Sequence, residues 1–333
     1  ERQLLHTPAR YFRRGAYMPH PEQAERAILI RDMLRRNAFP IETPRDFGED
    51  PIKAVHDPDY VDFWKDAYER WRAEAPDQEP IPNCHPGPRR GRPSSSVFGQ
   101  LGWWATDTSV PLTEGTWNAV YWSAQTAVRG ADHIIWGERS AYALSRPPGH
   151  HAYADLAGGF CFFNNSGIAA ERLLKAGKRP AILDVDVHHG NGTQGIFYRR
   201  ADVLTISIHA DPVRFYPFFW GHAQERGEGD GLGYNLNLPL ARGTGDDDYL
   251  KTLDAAFERI AAFGCDALVV ALGLDAHIDD PFKGLAVTTP GFARIGAAIA
   301  GLSLPTLFVQ EGGYISDALG DNLTHVLQGF SEA

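Results

Sequence analysis

Ala181-Ile-Leu-Asp184-Val-Asp186-Val-His188-His189-Gly190-Asn191-Gly192 opens as a buried strand and is then interrupted by ionisable residues. Asp184, Asp186 and His188 are spaced by two, which on a strand puts their side chains on one face. Val185 and Val187 then face the opposite layer. Two carboxylates buried side by side repel unless something positive sits between them, and a metal dication meets that need. Outward from this run the chain alternates short apolar runs with helical patterns. The runs are 141–145, 180–187, 203–209, 267–273 and 304–310. Helical patterns fall near 164–177, 190–200, 246–263 and 289–302. Such alternation predicts an α/β fold with a parallel sheet and helices on both faces, and a site beyond the carboxyl ends of the strands. Before it, 22–37 and 58–73 read as amphipathic helices, the second starting after His56-Asp57-Pro58.

Three further strand ends carry chemistry. Ser145-Arg146-Pro147-Pro148-Gly149-His150-His151 is a stiff turn that fixes where two imidazoles point. Ala267-Leu-Val-Val-Ala-Leu-Gly-Leu-Asp275 is an apolar strand ending at a carboxylate, which suits a further ligand. Leu307-Phe-Val-Gln-Glu311-Gly-Gly-Tyr314 ends in a glycine turn presenting a tyrosine. A different feature is the stretch 75–113, with seven prolines and Trp103-Trp104. It is too long for an ordinary connection, and reads either as an excursion packed on its own body or as an insertion meeting a second subunit.

Composition bounds the rest. Of 333 residues, 43% are hydrophobic and 22% charged, which excludes a disordered tail, a fibre or a coiled coil. No uninterrupted apolar stretch approaches the roughly 18 residues of a membrane span, and no secretory signal is visible, so neither membrane nor secretion is expected. The net charge of −10 and the lack of a basic stripe argue against nucleic acid and would attract a cationic substrate. Three scattered cysteines, Cys84, Cys161 and Cys265, fit a reducing, cytoplasmic setting.

Together the four motifs resemble the histone deacetylase and acetylpolyamine amidohydrolase family, from His56-Asp57-Pro58-Asp59-Tyr60 to the end of the chain. The resemblance implies one deacetylase domain over 1–333, of the arginase–deacetylase fold, with a central parallel eight-stranded sheet. It implies Asp186, His188 and Asp275 as ligands of one zinc ion, with iron(II) or cobalt(II) also suited to the donors. His151 would be the general base, and His150 would tune it or protonate the leaving amine. Tyr314 would hydrogen-bond the oxyanion, Asp184 would orient His150, and Asn191 would support His151 where some deacetylases carry Asp. Phe160, Tyr216 and Phe282, with Gly159, would wall a substrate channel. Potassium is implied at Asp184, Ser207 and Ile208 with nearby carbonyls, and at a second site formed by Phe197, Arg200, Val203 and Tyr234.

The stretch 75–113 resembles the insertion with which bacterial acetylpolyamine amidohydrolases form a homodimer and narrow the site. Asp107 within it would meet a distant ammonium of the substrate. Phe98 stands where such an enzyme can carry an acid, which points to acetylputrescine or acetylcadaverine rather than long polyamines. A protein or acyl-lysine deacetylase is the runner-up. Asp275-Ala276-His277-Ile278-Asp279 also looks like part of an arginase two-manganese signature. The second arginase cluster is absent from the sequence, so His277 and Asp279 are expected outside a one-metal site.

Overall fold

A computed structural model of the chain describes residues 1–87 and 91–333. A 3-10 turn at Arg2–Leu5 leads into a hairpin of β1 (Arg10–Arg13) and β2 (Ala16–Pro19). The helices α1 (Ala24–Arg36), α2 (Asp50–Lys53), α3 (Pro58–Glu74), α4 (Val97–Trp103) and α5 (Thr116–Ile135) follow. Then come β3 (Ser140–Ala143), α6 (Asn165–Lys175), β4 (Pro180–Asp184), α7 (Asn191–Phe197), β5 (Leu204–Ala210) and β6 (Asn235–Leu240). The chain closes with α8 (Asp246–Phe263), β7 (Ala267–Leu272), α9 (Thr289–Ala300), β8 (Thr306–Gln310) and α10 (Leu319–Glu332).

Local chemistry sets several boundaries. Asp57 caps α3 by accepting from the Asp59 and Tyr60 amides ahead of Pro58. Asn164 caps α6 through the Gly167 amide at 2.7 Å. Helix α8 starts on three aspartates, favourable at the positive end of its dipole, and stops at Gly264 in the left-handed conformation.

The main sheet has the order β3-β8-β7-β4-β5-β6, and every neighbouring pair is parallel. Alternate residues face alternate layers. Ala181, Leu183 and Val185 pack with α1, α8, α9 and α10, whereas Ile182 packs with α5, α6 and α7. The α/β class holds, and the strand count needs correction: six strands, not eight, form the sheet among the described residues. The hairpin pairs only with itself, because its strands are almost wholly exposed and cannot enter a sheet buried on both faces. The strand expected to run to Val187 stops at Asp184. There the Asp184 side chain accepts from the Asp186 amide at 3.0 Å, a local bond competing with strand pairing. Val185 and Val187 still enter the core as expected.

Of the stretch 75–113, residues 88–90 lie outside the described residues. Part of the described remainder packs on its own body, while 83–84, 86–87 and 91–95 are exposed. Val97, Leu101, Ala105, Val110 and Leu112 are buried against Trp64, Trp71 and Phe162, while Phe98 stays exposed. No described helix is long and apolar enough to cross a membrane.

Burial also makes a pH prediction. His56 is buried, with Nε2 accepting from the Asn164 amide at 2.8 Å. Desolvation holds its pKa down at about 4. Above pH 6.5 the imidazole is neutral in both folded and unfolded chains. Below it only the unfolded chain takes up a proton, so this residue's contribution falls as pH drops toward 4. Between pH 7 and pH 5 the wild type should lose about 2 kcal/mol more stability than His56→Gln in urea unfolding. Parallel pH slopes for the two proteins would refute the assignment.

Candidate active site

Four adjacent strands, β3, β8, β7 and β4, end at the same sheet edge, and the loops leaving them bring the singled-out motifs together. Asp186, His188 and Asp275 are all buried, and their ligand atoms lie within 4.8 Å of one another. His188 Nδ1 is 3.1 Å from Asp186 Oδ1 and 3.2 Å from Asp275 Oδ2. Backbone amides hold the outer oxygens: Gly312 N donates to Asp186 Oδ2 at 2.8 Å, and Val187 N to Asp275 Oδ1 at 3.0 Å.

The electrostatics agree with the geometry. Burial and the Asp186 charge raise the Asp275 carboxyl, while both carboxylates outweigh the burial of His188 and lift that imidazole to about 9. Two buried carboxylates converging on one imidazole nitrogen carry more negative charge than that ring can neutralise. One imidazole nitrogen and two carboxylate oxygens, borderline and hard donors, suit a divalent metal ion.

Two histidines flank this cluster with ring centroids 4.0 Å apart. His150 Nδ1 donates to Asp184 Oδ2 at 2.9 Å. Burial opposes its charge, yet Asp186 and Asp184 raise its pKa well above the usual value. His151 is opposite in character. Burial and the neighbouring His150 and His188 charges press its pKa well down. Its Nδ1 lies 2.6 Å from Asn191 Oδ1, and Asn191 Nδ2 donates to the Tyr153 hydroxyl at 3.2 Å. That orientation of the amide makes His151 Nδ1 the donor and leaves Nε2 with a free lone pair.

Tyr314 is buried, and burial pushes its hydroxyl pKa well up, so it remains an O–H donor. The Arg26 guanidinium lies 4.9 Å from its ring and donates to the Gly313 and Glu311 carbonyls. Arg26 is itself buried and paired with Glu22 at 2.8 Å.

The aromatic residues surround this floor. Phe160 and Phe282 lie 6.0 and 4.8 Å from the Tyr314 ring. Tyr216 stands edge-on to His151 at 4.9 Å, and Phe215 stacks on His188 at 5.0 Å. Asp107 is less free than a mouth acid awaiting an ammonium. Its Oδ2 accepts from the Tyr216 hydroxyl at 2.7 Å and the Gly159 amide at 3.3 Å, and its Oδ1 accepts from the Ser109 amide and hydroxyl. The carboxylate ties Tyr216 and Gly159, both expected to wall a substrate channel, to each other. His277 is not part of the Asp186, His188 and Asp275 cluster, and instead accepts from the Asp279 amide and pairs with Thr289.

For the monovalent sites, Asp184 and Ser207 are register partners on β4 and β5, with Ile208 next along β5. Phe197, Arg200 and Val203 span the turn from α7 into β5, and Tyr234 precedes β6, which pairs with β5.

Three contributors escaped the sequence reading. Glu311 accepts from the Gly149 and His150 amides at 2.6 and 3.0 Å and from Ser166 at 2.9 Å. Its partners are mostly backbone, which leaves no mark in a sequence. Arg26 had a signal: with Glu22 it sits at four-residue spacing on the same stripe as Ile30 and Leu34, an ion pair on an apolar helix face. Tyr11, buried on the hairpin 5.5 Å from Phe160, had one in Arg14-Gly15, a pair suited to a tight turn, set between Tyr11-Phe12 and Tyr17-Met18.

Comparison with known proteins agrees with this architecture. The histone deacetylase domain model matches residues 20–330. Acetylpolyamine amidohydrolase 1 of Pseudomonas aeruginosa is 47% identical, over 96% of this chain and 94% of its own. Acetylpolyamine amidohydrolase of Burkholderia pseudomallei is 45% identical, over 98% and 96%. A crystal structure of the acetylpolyamine aminohydrolase from Burkholderia pseudomallei superposes with a TM-score of 0.95 at 44% identity, covering 99% of this chain and 96% of that one. With the Asp-His-Asp cluster and the histidine pair at the carboxyl edge of its sheet, the chain belongs to the histone deacetylase domain family.

Proposed function

We propose that the protein is a metal-dependent amidohydrolase that deacetylates short acetylated polyamines, such as acetylputrescine and acetylcadaverine, to acetate and the free amine. The observation that carries the reading is the convergence of Asp186, His188 and Asp275 with His150, His151 and Tyr314 alongside, beside the rings of Phe160 and Phe282. The relatives named as acetylpolyamine amidohydrolases support the substrate class.

Asp186, His188 and Asp275 would hold the metal, for which zinc is proposed. When bound it supplies Lewis acidity toward the amide carbonyl and the attacking water. His151, kept neutral, takes the water proton at Nε2 while Asn191 fixes its tautomer. Because Asn is uncharged, it raises the basicity of His151 less than an Asp would. His150, hydrogen-bonded to Asp184, sits beside it as a proton source for the departing amine. The Tyr314 hydroxyl donates to the oxyanion that develops on the carbonyl oxygen. Phe160, Tyr216 and Phe282 line the path of the alkyl stem, with Asp107 holding Tyr216 and Gly159 in position. Potassium is proposed at the two monovalent sites as a structural ion.

Incubating the purified protein with acetylputrescine, acetylcadaverine and acetyl-lysine peptides, with metal analysis on the same preparation, tests the reading. Faster turnover of peptides would overturn the polyamine assignment in favour of an acyl-lysine deacetylase. A homodimer through 75–113 is part of the proposal, supported by the exposed Phe98 on α4. Gel filtration should give twice the chain mass, and a monomer would remove the dimer from the reading. A reducing, cytoplasmic setting is likewise proposed, in keeping with three free cysteines.

A further inference from the structure

The β1–β2 hairpin packs against the aromatic cluster beside the site, with Tyr11 buried together with Phe160 and Tyr314 and with Phe282 against them. Its two-residue turn, Arg14-Gly15, has positive φ at both positions, 51° and 81°, as a tight turn matching strand twist requires. The hairpin is docked. Thr108 Oγ1 donates to the Phe12 carbonyl at 2.7 Å, and Arg10 pairs with Glu79 at 2.8 Å. On a strand, Tyr11 and Arg13 share one face. Tyr11 is inserted beside Phe160, and Arg13 follows one step further out. The Arg13 guanidinium carbon lies 5.3 Å from the Phe282 ring centroid, and Nη1 donates to the Tyr11 hydroxyl at 3.4 Å. Phe282 in turn packs 4.8 Å from Tyr314. Arg13 therefore stands two ring contacts from the residue assigned to the oxyanion.

Among the described residues no acid pairs with this guanidinium, and the nearby carboxylates are engaged elsewhere. Both oxygens of Asp107 are occupied by Tyr216, Gly159 and Ser109. Asp280 is buried, with its carboxyl turned onto the Phe282 and Tyr314 amides. Asp279 projects into solvent with its side chain 72% exposed, 4.0 Å from the Lys283 ammonium. The family model begins at residue 20, so the hairpin stands outside the stretch it matches.

We propose that Arg13 is a specificity-determining residue that selects by charge at the remote end of the substrate. It disfavours an ammonium and favours a carboxylate there, so that acetylated ω-amino acids are substrates alongside acetylated diamines. This rests on the amidohydrolase reading above. A guanidinium held on an aromatic face is a fixed positive charge able to grip a carboxylate with paired donors. A polymethylene chain threaded past Phe282 carries its far end toward that group.

A length-matched pair isolates the effect: acetylcadaverine, ending in an ammonium, and 6-acetamidohexanoate, ending in a carboxylate. Acetate release gives kcat/KM for each in the wild type, Arg13→Gln and Arg13→Glu. Arg13 is exposed, so both variants should fold, which circular dichroism checks. The wild type should hydrolyse both compounds. The carboxylate-to-ammonium ratio of kcat/KM should fall about three- to ten-fold in Arg13→Gln and further in Arg13→Glu, mainly through KM, with added KCl narrowing the differences. An unchanged ratio in both variants, or no detectable turnover of 6-acetamidohexanoate by the wild type, would overturn the proposal while leaving the diamine activity standing. A wild type inert toward both compounds but active on acetyl-lysine peptides would overturn the polyamine reading and this one together.

Discussion

Tyr314→Phe is expected to lower kcat for an acetylated diamine about 10²–10³-fold, with KM and bound metal nearly unchanged. The variant removes one hydroxyl and keeps the ring that packs against Phe160, Phe282 and Arg26. Its backbone amide still donates to Asp280 at 3.1 Å, so the turn should not move. The loss should appear in kcat because the hydroxyl matters most when charge develops on the carbonyl oxygen. Burial keeps that hydroxyl protonated over the working pH range, so the variant and the wild type should share one pH profile in shape. Turnover equal to wild type would show that the oxyanion is supported elsewhere.

Asp275→Ala should abolish tight metal binding and reduce activity by on the order of 10³-fold or more, the rate equivalent of several kcal/mol of Lewis-acid stabilisation. Thermal unfolding gives a readout independent of turnover. In the wild type a chelator should lower Tm, because it removes a ligand bound only to the folded chain and leaves Asp186 and Asp275 to repel each other around His188. In Asp275→Ala that repulsion is already gone, and the chelator should have no effect. A variant that retains stoichiometric metal after dialysis would exclude Asp275 from the ligand set.

The sequence was most legible where ionisable residues broke an apolar run. Asp186, His188 and Asp275 stood out because a buried strand end is a costly place for charge, and the structure brings the three together. It was least legible where polar residues point inward. In β6, Asn235-Leu-Asn237-Leu alternates with period two, but the asparagines are the most buried members. They bond to Gln194, and Asn237 also reaches His189. A rule that turns apolar residues inward misses such a strand. Helix α5 was missed for another reason. Its buried face is largely small, with Ala119, Ala124, Ala127, Gly130 and Ala131, so its pattern has little contrast. The hairpin was missed because Phe12, Tyr17 and Met18 are exposed aromatic and apolar residues on strands that pair only with each other. Asp107 was expected to meet a substrate ammonium, but its partners could not be read from chain order, since Tyr216 lies 109 residues away.

Glu311 gives the end of β8 a mechanical role. One carboxyl group on that turn suspends the Gly149 and His150 amides, while Tyr314 leaves the same turn three residues later. The proposed proton donor His150 and the proposed oxyanion donor Tyr314 are thus both tied to this one turn. An insertion or deletion between Gln310 and Tyr314 should therefore misalign both at once, so this short turn should tolerate little change of length.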